Sequence, residues 1–437
     1  MSPKGIIPFP SKMTECASYV FVAQPPVTET GKIIFGKNSN RPEHEVQEVV
    51  YVPAKEHKTG EKLRCSLIEI DQSSHTNGVV LSKAAWMWGA EMGANEYGVC
   101  IGSSIVYSRL EEKLGEEEKL LAADLLRLTL ERSKCSREAV DVLTSLLTTH
   151  GQSGPYSEIP TFTHSCKHCY SFLITDGSEV WVVETVGNGS FWAAAKVTAG
   201  LYSIHGHLTI SDNFSLSSEN LIAKVSEAGL YQESDGPFNF AKVFTPDNAP
   251  AIDAEISKAE ELIVAEPLNP RNSFKHLRKD AIGINISRDQ FVTASSQISL
   301  LCPQEGASSF SGSCHWFTAT PNPKTSIFKP FIFSSESQEV DLPSISPSYG
   351  DDDPAHQKPR FQKEVDRKHK LYKSHMKLKS LLASGGPLAQ QKTDMLQMLE
   401  ETCLQDMEDT LNQFHALNPK KLASAFSHVA QLEMNFL

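Results

Sequence analysis

The sequence lacks any uninterrupted apolar run approaching the roughly 18–20 residues that cross a bilayer as a helix. Its first fifteen residues hold no signal-peptide core, because prolines interrupt Ile6, Ile7 and Phe9. It also lacks a basic balance. With 41 Lys and Arg against 53 Asp and Glu, the net charge of −12 argues against a nucleic-acid binder, which needs a basic footprint. No paired-cysteine framework is evident either. Nine scattered cysteines, an odd number, fit reduced thiols in a cytoplasmic protein. Cys166 and Cys169 form the one CxxC, flanked by His164 and His168. A structural zinc site takes four ligands at suitable spacing, and no second CxxC follows. The expectation is therefore no metal and no cofactor.

What the sequence does have is length and apolar content. The 437 residues, 40% hydrophobic, suffice for two or three domains or for one large domain with an appendage. From Val20 to Ile105 the pattern is mostly strand-like, as in Glu48-Val49-Val50-Tyr51-Val52 and Ser66-Leu67-Ile68-Glu69-Ile70. Leu120, Leu121, Leu125, Leu126 and Leu128 then recur at helical spacing. A second helix carries Val140, Leu143 and Leu147, with Ser136 as its expected N-cap and Gly151 near its end. Strands return at Phe172-Leu173-Ile174 and Val180-Trp181-Val182-Val183, joined by the hairpin turn Asp176-Gly177-Ser178. Helices are expected near 215–228 and 254–264, and strands near 191–197, 290–295 and 315–320. Strands, two helices and strands again predict an α+β layered fold, such as two stacked sheets flanked by helices.

The C-terminal part differs. Residues 335–360 are rich in Ser, Pro and Asp, with Asp351-Asp352-Asp353 inside them, and read as a linker or solvated loop. From 361 to 437 the chain reads as helical. A basic stretch containing Arg367, Lys370, Lys373 and Lys377 precedes an acidic one containing Glu400, Glu401, Asp406 and Glu408, the charge pattern of a helical hairpin. That region is the expected surface for a protein partner.

The candidate chemistry lies near the start. Cys16 precedes the strand Tyr19-Val20-Phe21-Val22-Ala23, and a second strand ends in Gly36-Lys37-Asn38-Ser39-Asn40-Arg41. A cysteine at the head of a strand, beside a basic residue and amides, suggests an N-terminal nucleophile whose own α-amine acts as base. An α-amine titrates at about 7.7–8.0, so it accepts a proton near neutrality. Lys37 would supply positive charge that favours the thiolate, and Asn40 would hydrogen-bond the amine. The segments would then be a leader over 1–15, whose removal frees Cys16, a catalytic domain over 16–334, the linker over 335–360, and the helical region over 361–437.

Three stretches resemble the secernin family: Trp86-Met87-Trp88-Gly89-Ala90-Glu91-Met92-Gly93-Ala94-Asn95-Glu96-Tyr97-Gly98-Val99, Glu45-Val46-Gln47-Glu48-Val49-Val50-Tyr51 and Ser326-Ile327-Phe328-Lys329-Pro330-Phe331-Ile332-Phe333. Secernins resemble the C69 cysteine dipeptidases and, more distantly, the bile-salt and penicillin V amidases. The resemblance implies the αββα sandwich of N-terminal-nucleophile hydrolases and a link to regulated secretion (exocytosis). It also implies a small peptide or acyl-amide as substrate. The departures from the family's pattern that follow favour, as the alternative, a catalytically degenerate member acting by binding. Laid on the first strand, the family's usual cysteine positions fall at Val20 or Ser18. Asn40 stands where the superfamily has an aspartate, Ser103-Ser104 where many secernins have Asn-Glu, and Gly206 where an asparagine can donate to the oxyanion. Asn95 matches the family's Gly-x-Asn-Glu turn, suits a tight turn, and is the candidate substrate contact.

Overall fold

The computed structural model describes residues 17–29, 31–110, 117–159, 169–247, 249, 254–280, 283–288, 290–303, 312–337, 342–412 and 419–436. Two antiparallel sheets dominate it. The main strands are β1 (Tyr19–Ala23), β2 (Ile33–Pro42), β3 (Gln47–Val52), β4 (Val79–Ala84), β5 (Met92–Asn95), β6 (Cys100–Ile105) and β7 (Tyr170–Thr175). They continue with β8 (Val180–Val186), β9 (Phe191–Val197), β10 (Leu201–Ile204), β11 (Phe291–Leu301), β12 (Cys314–Phe317) and β13 (Lys329–Phe331). The first sheet runs β10-β1-β2-β11-β12-β13, with the short strand Ser287–Arg288 beside β11. The second runs β9-β8-β7-β6-β5-β4-β3, with Leu216–Ser217 added outside β9.

Strand alternation gives each sheet two buried faces. Val20, Val22 and Phe35 of the first sheet meet Val80, Leu173, Val180 and Val182 of the second in the central core. The opposite face of the second sheet, with Leu81, Ile101 and Phe172, packs on helices α1 (Ala122–Arg132) and α2 (Ser136–His150). The opposite face of the first sheet, with Tyr19, Phe21 and Ile298, packs on α3 (Ala254–Ile263) and α4 (Pro270–Leu277). The order of layers is α, β, β, α, the expected four-layer sandwich. Gly36 shows how tight the outer packing is, since a Cβ there would sit 2.2 Å from the ring of Phe21.

Several expected elements shift for identifiable reasons. Ser136 is the first residue of α2, with Cys135 before it, and its N–H is capped by Asp176 Oδ2 at 2.8 Å from the β7–β8 turn. The stretch near 215–228 is helical only over Leu221–Glu227, because Leu216 and Ser217 pair with Ala194 and Ala193 at the sheet edge. Residues 342–355 pack on the body. Ser344 Oγ donates to the Val49 carbonyl at 2.8 Å, and Asp353 receives a two-pronged contact from Arg367, each arm 2.8 Å. Arg367 also reaches Glu158, so it is a buried ion-pair partner ahead of its helix. The C-terminal helices are α5 (Lys370–Ser384), α6 (Pro387–Asn412) and α7 (Ala425–Phe436). The α7 residues Phe426 and Ala430 join the central core.

Candidate active site

Tyr19 stands opposite Asn38 and Val20 opposite Lys37 on the paired strands β1 and β2. Alternation turns Lys37, Ser39 and Arg41 toward the second sheet and Asn38 toward the helices. Asn38 Nδ2 donates to the carbonyls of Leu277 and Ile284 at 2.9 and 2.8 Å. Lys37 is fully buried. Its Nζ donates to the Ser103 carbonyl at 2.6 Å, the Glu91 carbonyl at 2.7 Å and Glu91 Oε2 at 3.3 Å. An ammonium has three donors, and all three are engaged here. Burial pulls its pKa down to about 8, against the opposing pull of Glu91.

Glu91 is the hub of this cluster. Its Oε1 accepts from Arg41 Nη1 at 3.2 Å and its Oε2 from Ser39 Oγ at 3.4 Å. Burial would raise its pKa, but Lys37 and Arg41 outweigh burial and hold it low. Arg41 also pairs with Glu45, donates to the Tyr156 carbonyl at 2.6 Å, and lies 4.2 Å over the Tyr156 ring. Glu45 in turn accepts from Trp86 Nε1 at 2.7 Å and from Ser157 Oγ at 3.0 Å. Two cations and two carboxylates therefore share one buried network, which keeps each charge paired.

Asn40 faces the head of β1. Its Nδ2 donates to the Ala17 carbonyl at 2.8 Å, its Oδ1 accepts from Thr293 Oγ1 at 2.8 Å, and its backbone N–H donates to Ser18 Oγ at 3.2 Å. Ser104 Oγ donates to the Ser18 carbonyl at 2.7 Å. Gly206 comes from the loop after β10, with a φ of 70° that suits glycine. A Cβ on it would meet Ala17 Cβ at 3.2 Å and Tyr107 at 3.3 Å. Asn40, Ser104 and Gly206 thus converge on Ala17 and Ser18. Cys16, the residue before them, lies outside the described residues.

Asn95 has a different place. Its Nδ2 donates to the carbonyls of Leu130 and Ser133 at 2.9 and 2.7 Å, while its Oδ1 accepts from the N–H groups of Tyr97 and Val99 at 3.1 and 3.0 Å. Two donors and two acceptor positions are all an asparagine offers, so here it staples the β5–β6 turn to the end of α1. His164, Cys166 and His168 lie outside the described residues. Cys169 is buried in the central core, and among the described residues no group of three His, Cys, Asp or Glu could hold a metal. Nor is any described helix long and apolar enough to cross a membrane.

Sequence reasoning missed Glu91, Glu45 and Tyr156 as parts of the cluster. The period-two row Lys37, Ser39, Arg41 was a usable signal, because two cations on one buried face demand carboxylate partners.

The arrangement defines a class: an αββα sandwich with a polar cluster between its sheets at the head of β1. Residues 92–280 match the model of peptidase family C69. That match bears out the C69 resemblance over the stretch from β5 to just past α4. Among solved structures, the chain is similar to a conjugated bile acid hydrolase from Clostridium perfringens, with 12% identity, a TM-score of 0.42, and 72% of this chain and 92% of that one covered. It is also similar to a penicillin V acylase from Agrobacterium tumefaciens, with 12% identity, a TM-score of 0.38, and 72% and 86% covered. A Caenorhabditis elegans ortholog of N-acylethanolamine-hydrolyzing acid amidase matches at 12% identity and a TM-score of 0.32, with 66% and 94% covered.

Proposed function

We propose that this chain is a C69-type peptidase or amide hydrolase of the secernin kind, which uses Cys16 once residues 1–15 are removed. The observation that carries the reading is the hold of Asn40 on the carbonyl of Ala17, the residue after Cys16, with Gly206 placed close beside it. The Cys16 thiol gives its proton to its own α-amine as sulfur attacks the substrate carbonyl. The α-amine returns that proton to the leaving nitrogen as the C–N bond breaks. Water then cleaves the thioester and restores the thiol. Asn40 positions the amine, and backbone amides carry much of the oxyanion charge. Lys37 adds positive charge through the network it shares with Glu91. A cytoplasmic setting and a small-peptide or acyl-amide substrate complete the proposal.

The test is the intact mass and N-terminal sequence of protein purified from its own cells, followed by small-peptide hydrolysis by the natural protein and by Cys16→Ala. A chain beginning at Cys16, with hydrolysis abolished in Cys16→Ala, is expected. A chain beginning at Met1 or Ser2, or full activity in Cys16→Ala, overturns the proposal.

One set of observations favours a second reading. The three Lys37 donors are engaged, Asn40 has no negative charge, and Gly206 has no side chain to offer an oxyanion. The chain would then act by binding in regulated secretion, with the C-terminal helices as the partner surface.

A further inference from the structure

Glu184 is on β8, fully buried, on the row with Val180, Val182 and Val186 that faces the first sheet. Its Oε1 accepts from the Thr209 N–H at 2.6 Å, Thr209 Oγ1 at 2.7 Å and Ser171 Oγ at 3.3 Å, and its Oε2 accepts from the Ile210 N–H at 3.1 Å. Among the described residues no cation pairs with it. A buried carboxylate with no cation is costly, and such groups concentrate at functional sites.

The loop it holds, residues 205–210, carries Gly206. At the other end of that loop the Tyr107 N–H donates to the Gly206 carbonyl at 3.1 Å, beside a parallel bridge between Val106 and Gly206. The Cβ position of Gly206 lies 3.2 Å from Ala17 Cβ. The loop is therefore pinned by a carboxylate on one side and by backbone on the other, with the head of β1 against its middle.

We propose that Glu184 is a positioning residue of the candidate active site, its carboxylate holding the 205–210 loop so that Gly206 stays seated against Ala17. The catalytic meaning rests on the proposed hydrolase reading, whereas the anchoring does not. Burial raises the Glu184 carboxyl to about 7, against the donors from Thr209, Ile210 and Ser171. The titratable groups around it are Tyr202 from β10, whose hydroxyl lies 2.6 Å from Thr209 Oγ1, and His205 and His207 on the loop itself. Burial raises the Tyr202 phenol and lowers the His207 imidazole. Glu184→Gln leaves one oxygen where the carboxylate has two, so the Thr209 and Ile210 N–H groups, which use different oxygens, cannot both keep their acceptors.

The test uses the full matured chain as wild type, Glu184→Gln and Glu184→Asp. Amide hydrogen exchange at Thr209 and Ile210, corrected for intrinsic rates, should rise about tenfold or more in Glu184→Gln, with β8 and β9 unchanged. With a small-peptide substrate, kcat should drop on the order of 10²-fold in Glu184→Gln while KM holds, as for a misplaced site. If Glu184→Gln does not fold, Glu184→Asp carries the same readouts. Unchanged exchange at Thr209 and Ile210 overturns the anchoring, and a loosened loop with unchanged kcat overturns the positioning role. A wild type that hydrolyses nothing, with exchange still raised in Glu184→Gln, overturns the hydrolase reading and leaves the anchoring supported.

Discussion

Lys37 and Asn40 are three positions apart on β2, so their side chains leave opposite faces of the sheet. Lys37 is an ammonium held down to about 8 by burial, below its ordinary 10.5. The stability linked to this group is therefore fully present above about pH 10.5 and is lost as pH falls through about 8. Lys37→Met should flatten the rise in stability between those two values, as read by urea unfolding across the alkaline range. The same substitution removes one of the two cations on Glu91, and breaking a buried pair costs about 3 kcal/mol or more. Asn40→Ala deletes the bonds to Ala17 and from Thr293, and should cost about 1–3 kcal/mol. Both side chains were legible in the sequence as the polar end of an apolar strand. Their partners were not. Glu91 lies 54 residues from Lys37, and Thr293 lies 253 from Asn40. A single sequence does not encode which distant strand will face which.

Local pattern revealed most of the strands and helices, because alternation and leucine spacing report which face is buried. It failed where tertiary contact decides. Leu216 and Ser217 follow helical periodicity yet complete a sheet edge. Asn95 shows the same limit: its turn chemistry was readable, but its grip on the end of α1 was not. Asn95→Ala should destabilise the fold by roughly 2 kcal/mol or more through unpaired buried backbone groups, and should leave kcat and KM per folded molecule unchanged. A changed KM in a folded Asn95→Ala protein would support it as a substrate contact. Glu184 has the opposite sign to the usual carboxylate. Its pKa is raised from 4.5 to about 7, so its contribution to stability is fully present below about pH 4.5 and is lost as pH rises through about 7. That shift amounts to roughly 3 kcal/mol. Chemical denaturation of wild type and Glu184→Gln across this window should show the decline only in the wild type.

The layered sandwich could be anticipated from the order of elements, but the role of the C-terminal region could not. Lys329 on β13 and Glu433 on α7 form a fully buried ion pair at 2.7 Å, and Lys329 Nζ also donates to the Ile327 carbonyl at 2.8 Å. Glu433→Ala leaves that ammonium buried without a counter-charge and should cost about 3–5 kcal/mol in urea unfolding. Combining it with Lys329→Met should recover most of the loss. At the other sheet edge, residues 342–346 bond to β3. Composition made these residues look like a tether because serine and proline serve equally well in a strap that lies along an edge strand.

The buried pair also bears on how the chain is made. Lys329 leaves the ribosome roughly a hundred residues before Glu433, which at typical synthesis speeds is several seconds. Through that interval the edge of the first sheet carries a lysine without its counter-ion and an open β13. A nascent chain stalled there would present that unfinished edge to chaperones, and the arrival of α7 would supply the missing counter-ion.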